Sequence, residues 1–175
     1  MAIEEQTQYD AWCASFFLET RTRLGQRLTV SNRIISKLAF VLEREGAGGS
    51  GSISFVIRRV SDDIIIATKV WGLVASIPTD PTWLDVTFAS PMLVNAEVRL
   101  LAEYPDAYYL EYSNIRFYSK GSDVKPNEHY TNYQDDVWEA QPWDAAYRYT
   151  YELPAAPQAM GRVRGFDFRG KGFKP

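Results

Sequence analysis

Apolar and polar residues alternate along most of this chain, in short runs separated by turn signals between Leu24 and Glu152. Successive side chains of a β-strand point to opposite faces of the sheet, so this alternation predicts half-buried antiparallel strands. A helical period with caps is not sustained; the one candidate helix, Glu4–Phe17, overlaps Asp10–Leu18, which fits a strand equally well. The pattern therefore predicts an all-β fold, a single antiparallel jelly-roll β-sandwich of about eight or nine strands with extended terminal arms.

The predicted strands divide the chain into three segments. Residues 1–23 are an N-terminal segment or a first strand, 24–153 form the β-sandwich domain, and 154–175 form a C-terminal arm rich in basic residues, Gly, Pro and Phe. The run Gly46–Gly51 predicts a hairpin loop, because Gly is costly to order in a strand, and the polar stretch Ser119–Gln141 predicts a long surface loop. The expected strands are Ile34–Leu42, Ser52–Val60, Ile64–Val70, Thr82–Ala89, Met92–Ala102, Tyr108–Tyr112, Ile115–Tyr118 and Ala145–Leu153.

Only one Cys and one His occur among the 175 residues. These counts exclude an internal disulfide, a cysteine-based zinc site, an iron–sulfur centre and histidine-rich metal sites. The length predicts one domain whose core needs no covalent cross-link. The composition therefore predicts a protein with no metal or other cofactor and no enzymatic activity.

The formal net charge of −3 is divided unequally along the chain. The arm, 154–175, has five basic residues and one acidic residue, a charge of +4, which leaves −7 for 1–153. This contrast predicts that the arm binds an acidic neighbour, either another copy of the chain or another protein of the same assembly. The alternatives are a nucleic-acid contact, through Phe rings interleaved with basic residues, and a solvated tail; the small total charge does not favour specific nucleic-acid recognition. The predicted partner-binding residues are Arg162, Arg164, Phe166, Phe168, Arg169, Lys171, Phe173 and Lys174.

Thirteen of the 25 aromatic residues lie between Tyr104 and Tyr151. Rings of Tyr and Trp stack on the apolar faces of sugars and are enriched in protein interfaces, so this region is a candidate glycan or partner surface. The structural alternative is that Tyr147, Tyr149 and Tyr151 line the core, with their hydroxyl groups at its rim. The candidate surface residues are Tyr109, Tyr118, Tyr130, Tyr133, Trp138 and Trp143.

Groups with catalytic potential have simpler interpretations here. The adjacent acids Asp62-Asp63 and Asp135-Asp136 are candidates for calcium binding or hydrolysis, but calcium needs six to eight converging oxygens, and adjacent acids are typical of turns that face water. His129 is predicted to lie in an exposed loop, and Cys13 is predicted to be a small buried hydrophobic residue. The sequence thus predicts neither catalytic residues nor metal ligands.

The order of motifs along roughly 24–152 has a counterpart in known proteins. The motifs are, in order, Leu24–Val30, Ile35–Gly46, Ile53–Ile57, Thr82–Phe88, Ser90-Pro91, Val94–Leu101, Tyr109–Tyr112 and Asp144–Arg148. This series resembles the carbohydrate-binding-like jelly-roll β-sandwich modules of phage and viral structural proteins and of bacterial surface proteins. The resemblance implies the fold but no shared ligand site, because each of these motifs has a packing role and none is catalytic.

The predicted function is that of a non-enzymatic structural or interaction subunit of a larger assembly. The predicted setting is a phage or virus virion, as a capsid decoration or tail component that binds neighbouring subunits; the alternative is a glycan-binding module that recognises cell-surface polysaccharide. The first 20 residues lack the features of a secretory signal, and no apolar run is long enough for a transmembrane helix. The expected route is therefore synthesis in the host cytoplasm without membrane insertion and incorporation into the virion, the alternative being the cell surface or secretion by a route other than Sec.

Overall fold

The computed structural model describes residues 1–16, 21–46, 49–105 and 114–155. Over these residues the chain forms eleven strands, which pair antiparallel, and one turn of 3-10 helix at Val74–Ser76. The all-β, antiparallel prediction is confirmed, and the described part of the candidate helix is instead β1 and β2. The strands are β1 (Ala2–Gln6), β2 (Ala11–Ser15), β3 (Arg21–Glu45), β4 (Ser52–Arg59), β5 (Ile65–Leu73), β6 (Thr82–Glu103), β7 (Asn114–Lys120), β8 (His129–Gln134), β9 (Val137–Gln141), β10 (Asp144–Ala145) and β11 (Tyr147–Glu152).

Two long strands, β3 and β6, organise the sheet. They are 25 and 22 residues long and pair with each other along most of their length. The main path of the sheet runs β1-β11-β3-β6-β4-β5, while β7 and β8 pair with opposite ends of β3. We call β4, β5, β8 and β9, with 21–30 of β3 and 94–103 of β6, half-sheet A; the remaining strands, with 33–45 of β3 and 82–92 of β6, are half-sheet B.

The two half-sheets fold onto each other. Phe40 pairs with Leu84 of β6, and Phe55 pairs with Ala102 of the same strand. The eighteen residue steps from Leu84 to Ala102 would span about 60 Å in a straight strand, yet the ring centroids of Phe40 and Phe55 are 5.2 Å apart. The sheet therefore bends between them and encloses the core.

Interruptions in the β3–β6 register mark the bend. Between Val30 and Arg33, β3 has one residue more than its partner, and Asn32 there has a φ of 52°, a conformation that Asn tolerates better than most residues. Residues 88–91 of β6, which include Pro91, lie opposite a much shorter stretch of β3. Pro has no N–H for the ladder and is therefore confined to such interruptions and to edges.

The core contains the apolar faces that the alternation predicts. Ile53, Phe55 and Ile57 of β4 are fully buried, and so are Tyr147 and Tyr149 of β11. The prediction that the tyrosines of β11 line the core with their hydroxyls at its rim is confirmed for Tyr147 and Tyr149, whose hydroxyls bond to partly exposed charged side chains. The third predicted residue, Tyr151, is only partly buried and packs against the core.

Three local predictions are wrong for identifiable reasons. Ser90-Pro91 does not separate two strands, because β6 continues through it as a bulge. The connection at Gly46–Gly51 is not a hairpin loop, because β3 and β4 each pair with β6 and not with each other. Ser119–Gln141 is not one long loop, since it contains β8 and β9. The predicted strand Tyr108–Tyr112 lies outside the described residues.

Candidate interaction surfaces

The β8–β9 hairpin is an acidic element of half-sheet A with an exposed turn. Its two-residue turn is Asp135-Asp136, and both residues have positive φ, 51° and 63°. A two-residue turn whose twist matches that of the hairpin strands requires a positive φ at both central residues. Asp adopts a positive φ more readily than most residues. The hairpin contains no Lys or Arg and adds a third carboxylate, Glu139. Strand β9 pairs with β8 alone, so its other side is an edge of the described sheet.

The hairpin is held in place by β3 and by a buried carboxylate. Strand β8 pairs with the first part of β3, and the Asp144 side chain anchors the segment that leads into it. One Asp144 oxygen accepts a hydrogen bond from Gln26 Nε2 at 2.6 Å, and the other accepts from the backbone N–H groups of Val124 and Lys125 at 2.6 and 2.8 Å. This fully buried group orders part of a stretch that looks like a loop in the sequence.

Two arginines stack on the rings of the hairpin. Tyr133 and Trp138 lie side by side with ring centroids 5.0 Å apart. The guanidinium of Arg23 lies 4.3 Å from the Tyr133 centroid, and that of Arg99 lies 4.0 Å from the Trp138 centroid. Arg99 is only 7% exposed, and burial lowers its pKa, although the nearby Asp63 carboxylate opposes the change. The cation–π contacts tie the hairpin to the outer face of half-sheet A.

Asp63 joins these arginines to the turn between β4 and β5. Its carboxylate lies 3.3 Å from Arg23, 3.4 Å from Arg58 and 3.7 Å from Arg99. Arg58 also forms a two-point contact with Glu103, at 2.6 and 3.2 Å. The preceding Asp62 pairs with Arg59 at 2.6 Å. The acidic pair at 62–63 is thus a turn locked by ion pairs, which positions the β4–β5 hairpin.

Strand β5 forms the outer edge of half-sheet A and exposes apolar side chains. Its register with β4 slips twice, and the additional residues, Ile66 and Trp71, pack against the core. Such bulges interrupt the regular edge that another strand needs for pairing. The strongly exposed side chains of this edge are Ile64, Ile65, Val70 and Leu73.

A shallow groove crosses the outer face of half-sheet B. Arg148 and Asp85 flank the small side chain of Ala39 on adjacent strands, and Lys37 lies two residues along β3 on the same face. The groove has a volume of about 230 Å³ and is also lined by Ile3, Leu38 and Thr150. Arg148 stacks on Trp83 at 4.7 Å. No ion pair within the described part of the chain involves Lys37, Asp85 or Arg148, so their charges remain available to a ligand.

A polar cluster lies at the rim of the core beside β11. Glu4 accepts hydrogen bonds from Lys125 and, at 3.1 Å, from Arg33. The Tyr147 hydroxyl donates to Glu128 at 2.6 Å. Burial raises the pKa of Glu128, and burial is also the main reason why the pKa of Tyr147 is raised.

The predicted aromatic residues do not form one surface. Tyr133 and Trp138 come together on the hairpin, but Tyr130 is only 2% exposed and its ring lies 6.2 Å from that of the half-buried Trp143. Tyr118 is 8% exposed and donates to Glu43; burial and this hydrogen bond raise its pKa to about 12. Buried rings offer no open face to a sugar. Tyr109 and all the predicted arm residues, 162–174, lie outside the described residues.

Sequence reasoning missed the residues that support these surfaces. His129 begins β8 opposite Arg27 and does not lie in a loop; Cys13 lies in β2. Asp63, Arg23 and Arg99 are far apart in the sequence, and the groove residues of half-sheet B come from different strands. Only the pairing register brings them together, and a single sequence carries no signal for it.

Within the described ranges, no three His, Cys, Asp or Glu residues are placed to share a metal ion. The same ranges contain no helix with the length and apolar character needed to cross a membrane. Compared with protein-family models, with curated proteins and with solved structures, the chain matches none.

Proposed function

We propose that this chain is a non-enzymatic structural subunit that binds its neighbours in a larger assembly, a phage or virus virion in which it is a capsid decoration or tail component. The observation that carries the proposal is the apolar edge at β5. Four of the ten large hydrophobic side chains that are strongly exposed in the described chain belong to this short segment: Ile64, Ile65, Val70 and Leu73. Concentrated apolar exposure of this kind is typical of interaction sites.

The jelly-roll β-sandwich and the virion setting belong to the same proposal. Their support is the resemblance of the motif order to modules of phage and viral structural proteins, together with two contacting half-sheets of antiparallel strands. An experimental structure of the protein within its particle tests both at once. Absence of the chain from purified particles would contradict the virion role.

The assembly role is tested by one substitution at two matched positions. Leu73 on β5 and Leu93 on β6 are 59% and 58% exposed, so Leu→Lys has a similar effect on folding at each. We expect Leu73→Lys to weaken self-association or particle binding at least tenfold, because a charge is buried in the contact, while Leu93→Lys leaves it unchanged. Sedimentation measures self-association, and a pull-down with particles measures particle binding. Equal binding by both variants and the wild type would remove β5 as the interface.

A second candidate function, recognition of cell-surface polysaccharide, is favoured by the groove on half-sheet B. Its unpaired Lys37, Asp85 and Arg148 can donate to and accept from sugar hydroxyls, and Trp83 borders it. A glycan array tests the idea: binding should be lost in Arg148→Gln if the groove is the site, and in Trp138→Ala if the hairpin is. A blank array contradicts glycan recognition altogether.

A further inference from the structure

The β8–β9 hairpin and the C-terminal arm have opposite charges and complementary chemistry. The hairpin, 129–141, has three carboxylates and no Lys or Arg, while the arm, 154–175, carries +4. We propose that the acidic β8–β9 hairpin is the docking site for the basic arm of a second copy of this chain. This inference rests on the assembly role proposed above and names the surface and the partner.

The hairpin differs from the rest of half-sheet A because, within the described part of the chain, its carboxylates form no ion pair. Among the described residues, the carboxylates of Asp135, Asp136 and Glu139 accept hydrogen bonds only from neutral groups of the hairpin itself: the Gln134 amide, the Tyr133 hydroxyl and the Asn132 amide. Most carboxylates elsewhere on half-sheet A already have an arginine partner. The paired ones are Asp62, Asp63, Glu97 and Glu103.

The rings of the hairpin suit the composition of the arm. Arg side chains stack favourably on Trp and Tyr, and the hairpin already binds Arg23 and Arg99 in this way. The arm offers Arg162, Arg164 and Arg169 for the carboxylates and further stacking, and interleaved Phe rings for the exposed Val137.

The position of β9 makes the site accessible to a neighbour. This strand is at the edge of the described sheet, and its exposed residues include Val137 and Glu139. An edge strand presents main-chain donors and acceptors to an incoming extended segment. A neighbouring copy therefore finds ion pairs, ring stacking and main-chain hydrogen bonds in one place.

Removal of the hairpin charges tests the proposal in the full-length chain. The variant is Asp135→Asn/Asp136→Asn/Glu139→Gln, in which Asn keeps the positive φ of the turn accessible. The matched control, Glu5→Gln/Asp80→Asn/Asp123→Asn, removes the same charge from three acids that also form no ion pair within the described ranges. Sedimentation at several salt concentrations should show self-association at least tenfold weaker, and less dependent on salt, in the hairpin variant only.

A second variant locates the partner of the hairpin. Arg162→Gln/Arg164→Gln/Arg169→Gln should weaken self-association to a similar degree, and the combination of both triple variants should add little, because both remove one contact. Additive effects overturn the proposal. So does a monomeric chain in which arm substitutions change the NMR signals of β9, since the arm then docks on its own hairpin. If Leu73→Lys weakens self-association but neither triple variant changes it, the assembly role stands and the hairpin site is wrong.

Discussion

Two carboxylates near Lys125 have pKa values that move in opposite directions. Burial opposes the change at Glu4, but hydrogen bonds from Lys125 and Arg33 outweigh it and lower the pKa of this group. Burial dominates at Glu128 and raises its pKa, although the Tyr147 hydroxyl and Lys125 favour the ionised form. Glu128 is the more enclosed of the two carboxylates, and the Tyr147 hydroxyl and the Lys125 ammonium do not compensate for the hydration that it loses.

These opposite pKa shifts predict that Glu→Gln at position 4 and Glu→Gln at position 128 change the free energy of unfolding in opposite directions. A carboxyl group whose pKa is lower in the folded than in the unfolded protein stabilises the fold at pH values above its unfolded pKa. This stabilisation is lost as the pH falls through the folded pKa. Glu4→Gln should therefore reduce the free energy of unfolding at pH 7 by about 0.5–1 kcal/mol. A carboxyl group whose pKa is raised in the folded protein stabilises the fold below its unfolded pKa, and this stabilisation is lost as the pH rises through the folded pKa. Glu128→Gln should therefore be more stable than the wild type at pH 7.

Denaturant unfolding between pH 3 and pH 8 measures both differences. Each should disappear on acidification, because the wild-type carboxyl is then protonated in both states and resembles the amide. The Glu128→Gln variant keeps an acceptor for the Tyr147 hydroxyl, so a loss of stability at neutral pH in this variant would contradict the assigned direction.

Single strands are predictable where apolar residues occupy the buried positions. Strand β4 matches Ser52–Val60 within one residue, and β11 lies within Ala145–Leu153. Strand β8 is not predictable, because two of its buried residues, Thr131 and Asn132, are polar. Their polar groups are satisfied by Glu139 across the hairpin, a pairing that hydropathy does not reveal.

Breaks between elements are hard to locate from residue type, because one residue type is compatible with several backbone geometries. Ser90-Pro91 is typical of a turn, but the missing N–H of Pro is equally tolerated in a bulge, and in β6 this dipeptide lies in a bulge. Asp135-Asp136 forms the turn that its acidic residues predict, although it lacks the Asn-Gly sequence that is the strongest signal of a tight hairpin. The candidate site is therefore only partly predictable: the aromatic composition indicates Tyr133 and Trp138, whereas the placement of Arg23, Asp63 and Arg99 beside them depends on the strand register.

At the scale of the whole molecule, the continuous strands β3 and β6 make the two half-sheets one structural unit. Each long strand contributes to both half-sheets, so neither half has a complete set of hydrogen-bond partners without the other. Rings from both halves meet in the core, where Phe117 of β7 lies 6.2 Å from Tyr130 of β8. Backbone continuity and core packing together imply that the halves unfold in one cooperative transition.

Removal of one core ring tests this cooperativity. Phe40 of half-sheet B contacts Phe55 and Phe117, with centroid distances of 5.2 and 5.3 Å, so Phe40→Ala should lower the free energy of unfolding by about 3–5 kcal/mol. Amide exchange followed by NMR should show protection falling together in β4 and β11, which lie in different half-sheets. The exposed Leu93→Ala is the control and should change stability by less than about 0.5 kcal/mol. Retained protection in β4 with loss confined to β11 would show that the halves unfold separately, because the substituted ring belongs to half-sheet B.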